Sequence, residues 1–176
     1  MILGLDISTS ITGATILNSN GEMVLNVSWD TRNKNKFPTI YNKASFIRDE
    51  LEKIKKENNI ESIFIEQSLQ SFRSGFSSAK TLSTLSMFNG IVSWLCYDIF
   101  GIEPSMIAAT SARKSAGISI KRGENAKQKV LQFVLDKQPG FLVRYTRHGN
   151  FQPECFDRAD SWVIAKSGFL ICNQKE

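Results

Sequence analysis

Two strand-like runs separated by a helix-length apolar stripe constrain this chain more than any other feature. Ile40, Ala44, Ile47, Leu51 and Ile54 recur at spacings of four, three, four and three, which places them on one face of a helix. Pro38 opens that segment, and Lys43, Arg48, Lys53 and Lys55 fall off the stripe as a solvated face. Residues 61–66, ESIFIE, form a compact apolar strand immediately after it. A strand, a helix and another strand in that order require a crossover, and a crossover makes the two strands parallel.

Three strand-like segments precede the stripe: residues 1–5 ending at Asp6, then 12–17 and 22–28. Asn18-Ser-Asn-Gly21 between the last two carries turn chemistry, so they form a hairpin and the chain opens as a meander. After residue 66, a polar loop over 67–78 leads to a long helix over 79–100. That helix is apolar on more than one face, through Leu82, Leu85, Phe88, Ile91, Val92, Leu95 and Ile99. It is expected to pack on the sheet and on a second subunit. A short strand over 104–108, a basic segment over 110–122 and a helix over 124–135 follow. Pro139 and Gly140 end that helix, a loop over 137–153 carries Arg144, Arg147 and His148, and a last helix covers 154–168. The expected architecture is α/β: a mixed five-stranded sheet flanked by helices in one domain over residues 1–176, the order of the ribonuclease H-like fold.

Two acidic residues close strands in this scheme, Asp6 and Glu66. If those strands are parallel neighbours, both carboxylates emerge at one sheet edge, where open sheets with helical crossovers place ligands. Asp157 and Asp160 are three apart on the last helix and share a face. Phe156, Ala159 and Val163 lie on the other face and can anchor the helix to the sheet, which would bring both aspartates to the same edge. Four converging carboxylates repel one another unless cations neutralise them, and an all-oxygen set suits Mg2+ or Mn2+. Two such ions can activate water and stabilise the leaving oxygen in phosphodiester hydrolysis. Asp157 and Asp160 taken alone also read as charges favouring a helix N-terminus.

Charge fits an anionic partner. Lys and Arg exceed Asp and Glu, for a net charge of +5, a mild excess that favours nucleic acid. Residues 113–129 hold six Lys or Arg and one Glu, including Arg113, Lys114, Lys121 and Arg122, which can neutralise phosphates. Phe72, Arg73 and Phe76 follow Glu66 and could wedge into or stack on bases; Phe72 and Phe76 also read as plain core residues. Cys96, Cys155 and Cys172 have neither zinc spacing nor an even number, so reduced thiols and a cytoplasmic setting are expected. The apolar runs fall short of the roughly 20 residues of a membrane span.

These motifs resemble the RuvC family of Holliday junction resolvases. Ile2-Leu-Gly-Leu-Asp6 with Thr12-Gly13 is similar to its first strand and turn, and Phe64-Ile-Glu66-Gln67 to its second acidic motif. The run from Phe156 to Ala165, with Asp157 and Asp160, is similar to its C-terminal helix, and the run from Gly123 to Val130 to its basic segment. The resemblance implies a homodimer that cuts symmetric strands of a four-way junction, with Asp6, Glu66, Asp157 and Asp160 holding two Mg2+ or Mn2+ ions. It also implies that Lys127 stabilises charge developing on phosphate; a solvated helix lysine is its plainer reading. Three departures mark a divergent member, such as one from a bacteriophage. Ile7-Ser-Thr-Ser10 replaces the usual Pro-Gly, Arg158 stands where the family has a small residue, and the loop over 137–153 is long. His148, the single histidine, reads as structural or solvated, or as a residue beside the scissile phosphate.

Two other functions are compatible with these residues. A broader nuclease acting on forks or flaps would use the same site. Gly4-Leu-Asp-Ile-Ser-Thr9 also resembles the phosphate-binding turn of actin-like and sugar-kinase ATPases, although those need two such domains and a second glycine-rich motif. A non-catalytic junction binder fits less well, because carboxylates facing phosphates weaken binding.

Overall fold

The computed structural model describes residues 1–67 and 79–174. Its sheet has five strands: β1 (Ile2–Asp6), β2 (Ile11–Leu17), β3 (Met23–Asp30), β4 (Ser62–Glu66) and β5 (Ser105–Ile107), in the spatial order β3-β2-β1-β4-β5. The first three pair antiparallel, while β1 with β4 and β4 with β5 pair parallel. The mixed sheet implied by the crossover is therefore present. Five helices accompany it among the described residues: α1 (Ile40–Glu57), α2 (Ala79–Phe100), α3 (Ala109–Ser115), α4 (Ala126–Lys137) and α5 (Pro153–Asn173).

Alternation along the strands divides the core in two. Leu3, Leu5, Ile63 and Ile65 point to one face and pack with Ile47, Leu51, Phe88 and Val92 of α1 and α2. Ile2 and Phe64 point to the other and join Val130, Ala159, Trp162 and Val163 of α4 and α5. A period of two along β1 and β4 thus sends Gly4, Asp6 and Glu66 toward α5.

Helix α5 lies very close to the sheet because glycines leave room for it. A Cβ at Gly4 would come within 2.4 Å of the Ala165 backbone nitrogen, and one at Gly13 within 2.1 Å of the Asp157 carbonyl oxygen. On the helix side, a Cβ at Gly168 would strike the Phe64 ring at 2.2 Å. These contacts fix the height of α5 above β1 and β2.

Several boundaries differ from the sequence reading. Helix α1 begins at Ile40 rather than at Pro38, because Thr39 caps it: the Asn42 amide donates to the Thr39 hydroxyl at 3.3 Å, and the Asn42 side chain returns the contact to the Thr39 amide. Part of the basic segment is helical, as α3. Helix α5 starts at Pro153, whose missing N–H costs nothing in a first turn, and runs five residues beyond the expected end at 168. The solvated face of α1 is also more engaged than expected. Lys43 donates to the Thr9 carbonyl, Arg48 pairs with Asp98 at 3.1 Å, and Lys55 donates to the Ile99 carbonyl. Cys96, Cys155 and Cys172 are all free thiols, the first two buried. No described helix is long and apolar enough to cross a membrane.

Candidate active site

Asp6 and Glu66 reach the same edge through strand register. Leu5 of β1 is opposite Ile65 of β4 in the parallel pair, so the next residue on each strand is one of these acids. The Gln67 amide extends the pairing by donating to the Ile107 carbonyl at 2.9 Å, and buried Asn89 of α2 donates to the Glu66 carbonyl at 3.2 Å. Both supports act on the backbone and leave the carboxylate free to face α5.

Beyond Asp6 the chain turns through Ile7-Ser-Thr-Ser10. The Ser8 hydroxyl donates to the Ile11 carbonyl at 2.8 Å and accepts from the amides of Ser10 and Ile11. A serine turn thus reverses the chain where Pro-Gly was expected. Lys43 of α1 and the Thr31 hydroxyl hold this turn by its carbonyls.

The first turns of α5 supply the other two acids. Asp157 lines a cleft of about 380 Å³ together with Asp6, Glu66, Ser8, Arg32 and Lys127. Asp160 is one turn further along, 8% exposed and not among the residues that line the cleft. Lys127, in the first turn of α4, puts its Nζ 3.8 Å from Asp157 Oδ1.

The four acids lie close enough for their charges to act on one another. Burial pushes the Asp6 carboxyl well above the usual range, and the charges of Glu66, Asp160 and Asp157 push it further. Glu66 is raised to about 7, by burial and then by Asp160. Burial raises Asp157 to about 6, with Lys127 opposing. Asp160 is raised by burial, with Lys127 and Arg113 opposing. Among the described residues no hydrogen-bond donor relieves the Asp6, Glu66 or Asp160 side chain. Buried carboxylates without donors are strained as anions, and a nearby cation would relieve that strain.

The chemistry of this donor set fits hard divalent cations. Among the described residues, no three His, Cys, Asp or Glu side chains close on a single point as a cage would. Mg2+ seldom uses such a cage; it takes one or two carboxylates and completes its shell with water and substrate phosphate. Carboxylates spread around an open cleft suit that arrangement.

The remaining sequence candidates fall in different places. Arg113 on α3 is half-buried and close enough to act on Glu66 and Asp160, so it belongs to the cleft's surroundings rather than to a remote positioning set. Lys114, Lys121 and Arg122 are exposed outside the cleft. His148 is exposed and does not line it. Phe72, Arg73 and Phe76 lie outside the described residues. Arg32 escaped the sequence reading. It lines the cleft, its Nε is 2.9 Å from Asp30 Oδ1, and its charge reaches Asp157. A lone arginine after a strand carries no periodic or motif signal that could have found it.

This sheet order, with its acidic edge, defines a ribonuclease H-like α/β protein. No protein-family model matches the sequence, and no curated protein matches it. Solved structures do match in fold. Thermus thermophilus RuvC in complex with a Holliday junction substrate superposes with a TM-score of 0.68 at 11% identity, covering 98% of this chain and 94% of that one. Another Thermus thermophilus RuvC structure gives 0.62 at 14% identity, over 98% and 96%. The yeast mitochondrial Holliday junction resolvase Ydc2 gives 0.61 at 14% identity, over 99% and 84%. The ribonuclease H-like architecture expected from the strand order is the one these neighbours share along nearly the whole chain.

Proposed function

We propose that this chain is a single-domain, divalent-metal-dependent endodeoxyribonuclease that resolves four-way DNA junctions. The observation that carries the proposal is the meeting of Asp6, Glu66, Asp157 and Asp160, acids from three elements of which Asp160 is buried and the others partly buried, at a cleft with Arg32 and Lys127 on its wall. A solvated surface would not gather four carboxylates, three of them without a hydrogen-bond donor among the described residues. The substrate class rests on likeness of fold to RuvC and a mitochondrial resolvase.

In this reading Asp6, Glu66, Asp157 and Asp160 hold Mg2+ or Mn2+, which supplies Lewis acidity and an activated water. Lys127 draws a phosphate oxygen toward the cleft and stabilises charge that grows on it. Arg113 moderates the repulsion around Glu66 and Asp160. Lys114, Lys121 and Arg122 meet phosphates further along the DNA, and Phe72, Arg73 and Phe76 meet the bases at the crossover.

Cutting of a synthetic four-way junction should require Mg2+ or Mn2+, with Ca2+ supporting binding but little cutting. Full activity in EDTA would refute the metal assignment. Equal cutting of forks and flaps would move the reading to a broader branched-DNA nuclease. Hydrolysis of ATP without any cutting would move it to the kinase-like class.

A homodimer would set two such sites on opposed strands. Its support is α2, whose inner residues Phe88, Val92, Leu95 and Ile99 are buried while Met87, Trp94 and Tyr97 are about half exposed on the outside. Gly90 lies between them in sequence, and a Cβ there would meet nothing. Trp94→Glu with Tyr97→Glu should convert a dimer to monomer in light scattering and replace paired cuts with single nicks. Dimer mass retained in that variant would place the interface elsewhere.

A further inference from the structure

Two oddities of the sequence, Arg158 and the long segment before α5, turn out to touch each other. The Arg158 guanidinium does not enter the acidic cleft. Its Nη1 donates to the Leu142 carbonyl at 2.9 Å, its Nε donates to Asn26 Oδ1 at 2.8 Å, and its Cζ lies 4.8 Å from the centroid of the buried Phe141 ring. Asn26 in turn donates to the Arg158 carbonyl at 3.0 Å and to the Thr15 hydroxyl at 2.7 Å. Arg158 therefore clamps residues 141–142 against α5 and β3. Cys155 adds a second tie, with the Arg144 amide 3.4 Å from its Sγ.

From this root the chain makes a small closed hairpin. Tyr145 and Phe151 bridge as an antiparallel pair, and their rings stack at 5.1 Å. The Gln152 amide donates to the Arg144 carbonyl at 2.9 Å, and the Thr146 amide to the Asn150 carbonyl at 2.7 Å. Gly149 supplies the positive φ of 78° that the tip requires. Phe151 meets Phe156 of α5 edge to face at 6.4 Å, which seats the hairpin on the helix that carries Asp157 and Asp160.

The outside of this hairpin is one-signed. Arg144, Tyr145, Arg147 and His148 are all exposed, and residues 138–153 contain no Asp or Glu. Arg147 Nε donates to His148 Nε2 at 2.9 Å. Among the described residues, neither Arg144 nor Arg147 forms an ion pair with a carboxylate. The hairpin ends at Pro153, which itself lines the cleft. A rigid, cationic projection that starts at the rim of an acidic cleft has a simple use: it holds a polyanion whose reacting phosphate is in the cleft.

We propose that residues 142–152 are a DNA-gripping arm, mounted on α5 by Arg158, that contacts phosphates outside the cleft through Arg144 and Arg147. Tyr145 offers its exposed ring to the sugar or base beside them. The proposal rests on the nuclease reading, and binding separates the two. Junction affinity is measured in Ca2+ across a salt series, for the parent protein and for Arg144→Ala with Arg147→Ala. The double variant should bind about tenfold more weakly near 0.1 M salt, and the slope of log affinity against log salt should shrink by about 0.9 for each phosphate that is no longer neutralised. Arg144→Lys with Arg147→Lys should keep most of the slope, since charge is retained. Arg158→Ala should reproduce part of the loss without removing any exposed charge, because it frees the root. Parent and Ala variant with equal affinity and equal slope would overturn the arm while leaving the nuclease reading intact. A parent that binds no DNA at all would overturn both. Loss of affinity with an unchanged slope would also refute the proposal, because it would assign the arginines to the fold and not to phosphate.

Discussion

Glu66→Gln should abolish nearly all cutting and yet make the metal-free protein more stable at neutral pH. On the proposed function, the first effect follows from removing an oxygen that would hold metal beside the reacting phosphate. A loss of about 10²–10³-fold is the scale for one group that stabilises a transition state. The second follows from the pKa of about 7 that burial and Asp160 impose. The folded state binds this proton more tightly than the unfolded chain does, where the carboxyl titrates near 4.5. The favourable contribution is therefore complete below pH 4.5 and lost as pH rises through 7. Parent protein in EDTA should lose thermal stability across that window, and the Gln variant should lose less. The difference should appear above pH 7 as roughly 2–4 °C of melting temperature per kcal/mol relieved. Added Mn2+ should stabilise the parent most at the high-pH end, where the acids are charged. A Gln variant that melts below the parent at pH 8 in EDTA would show that Glu66 is not a strained anion. Asp6→Asn should behave the same way, since burial and three neighbouring acids raise it too.

Gly13→Ala is expected to damage the site without touching any charged group. Its Cβ would sit 2.1 Å from the Asp157 carbonyl oxygen and 2.6 Å from the carbonyl carbon. Both are helix backbone, so no side chain can swing away and α5 itself must lift. Overpacking of this kind costs about 1–3 kcal/mol. The larger effect should be on cutting, because a displacement of about 1 Å at a reacting centre can cost on the order of 100-fold. Gly140→Ala is the control, with open space around its Cβ. Circular dichroism melts and single-turnover rates on one junction preparation would separate the two effects. A Gly13→Ala protein that cuts at the parent rate would mean that the position of Asp157 is not critical.

Much of this was readable from residues alone. The stripe from Ile40 to Ile54 requires a crossover, and the crossover makes β1 and β4 parallel neighbours with Asp6 and Glu66 at one end. The three-residue spacing of Asp157 and Asp160 puts them on one helical face. Periodicity carried both inferences because each depends on a repeat. Arg32 and Arg113 were different. Their nearness to the acids depends on where a loop and a short helix lie in space, and no repeat encodes that. Arg158 was visible only as an oddity, because its partners Asn26 and Leu142 are distant in sequence. Gly13 stood in a recognisable motif, but its reason, the 2.1 Å approach of α5, is a tertiary fact.

The cleft joins the first strand of the chain to the last described helix. Until α5 has been synthesised, the β1–β2 surface that receives it, with the gaps at Gly4 and Gly13, has no cover, and only Asp6 and Glu66 are in place. A ribosome-bound chain released as far as α4 would thus hold two of the four acids and no means of supplying the others. On the proposed function, the protein would acquire its cutting activity only once α5 has been made and closes over the sheet. The same dependence makes the site sensitive to truncation: a chain stopped before Pro153 would lose both aspartates, and its sheet would expose a broad apolar face to aggregation.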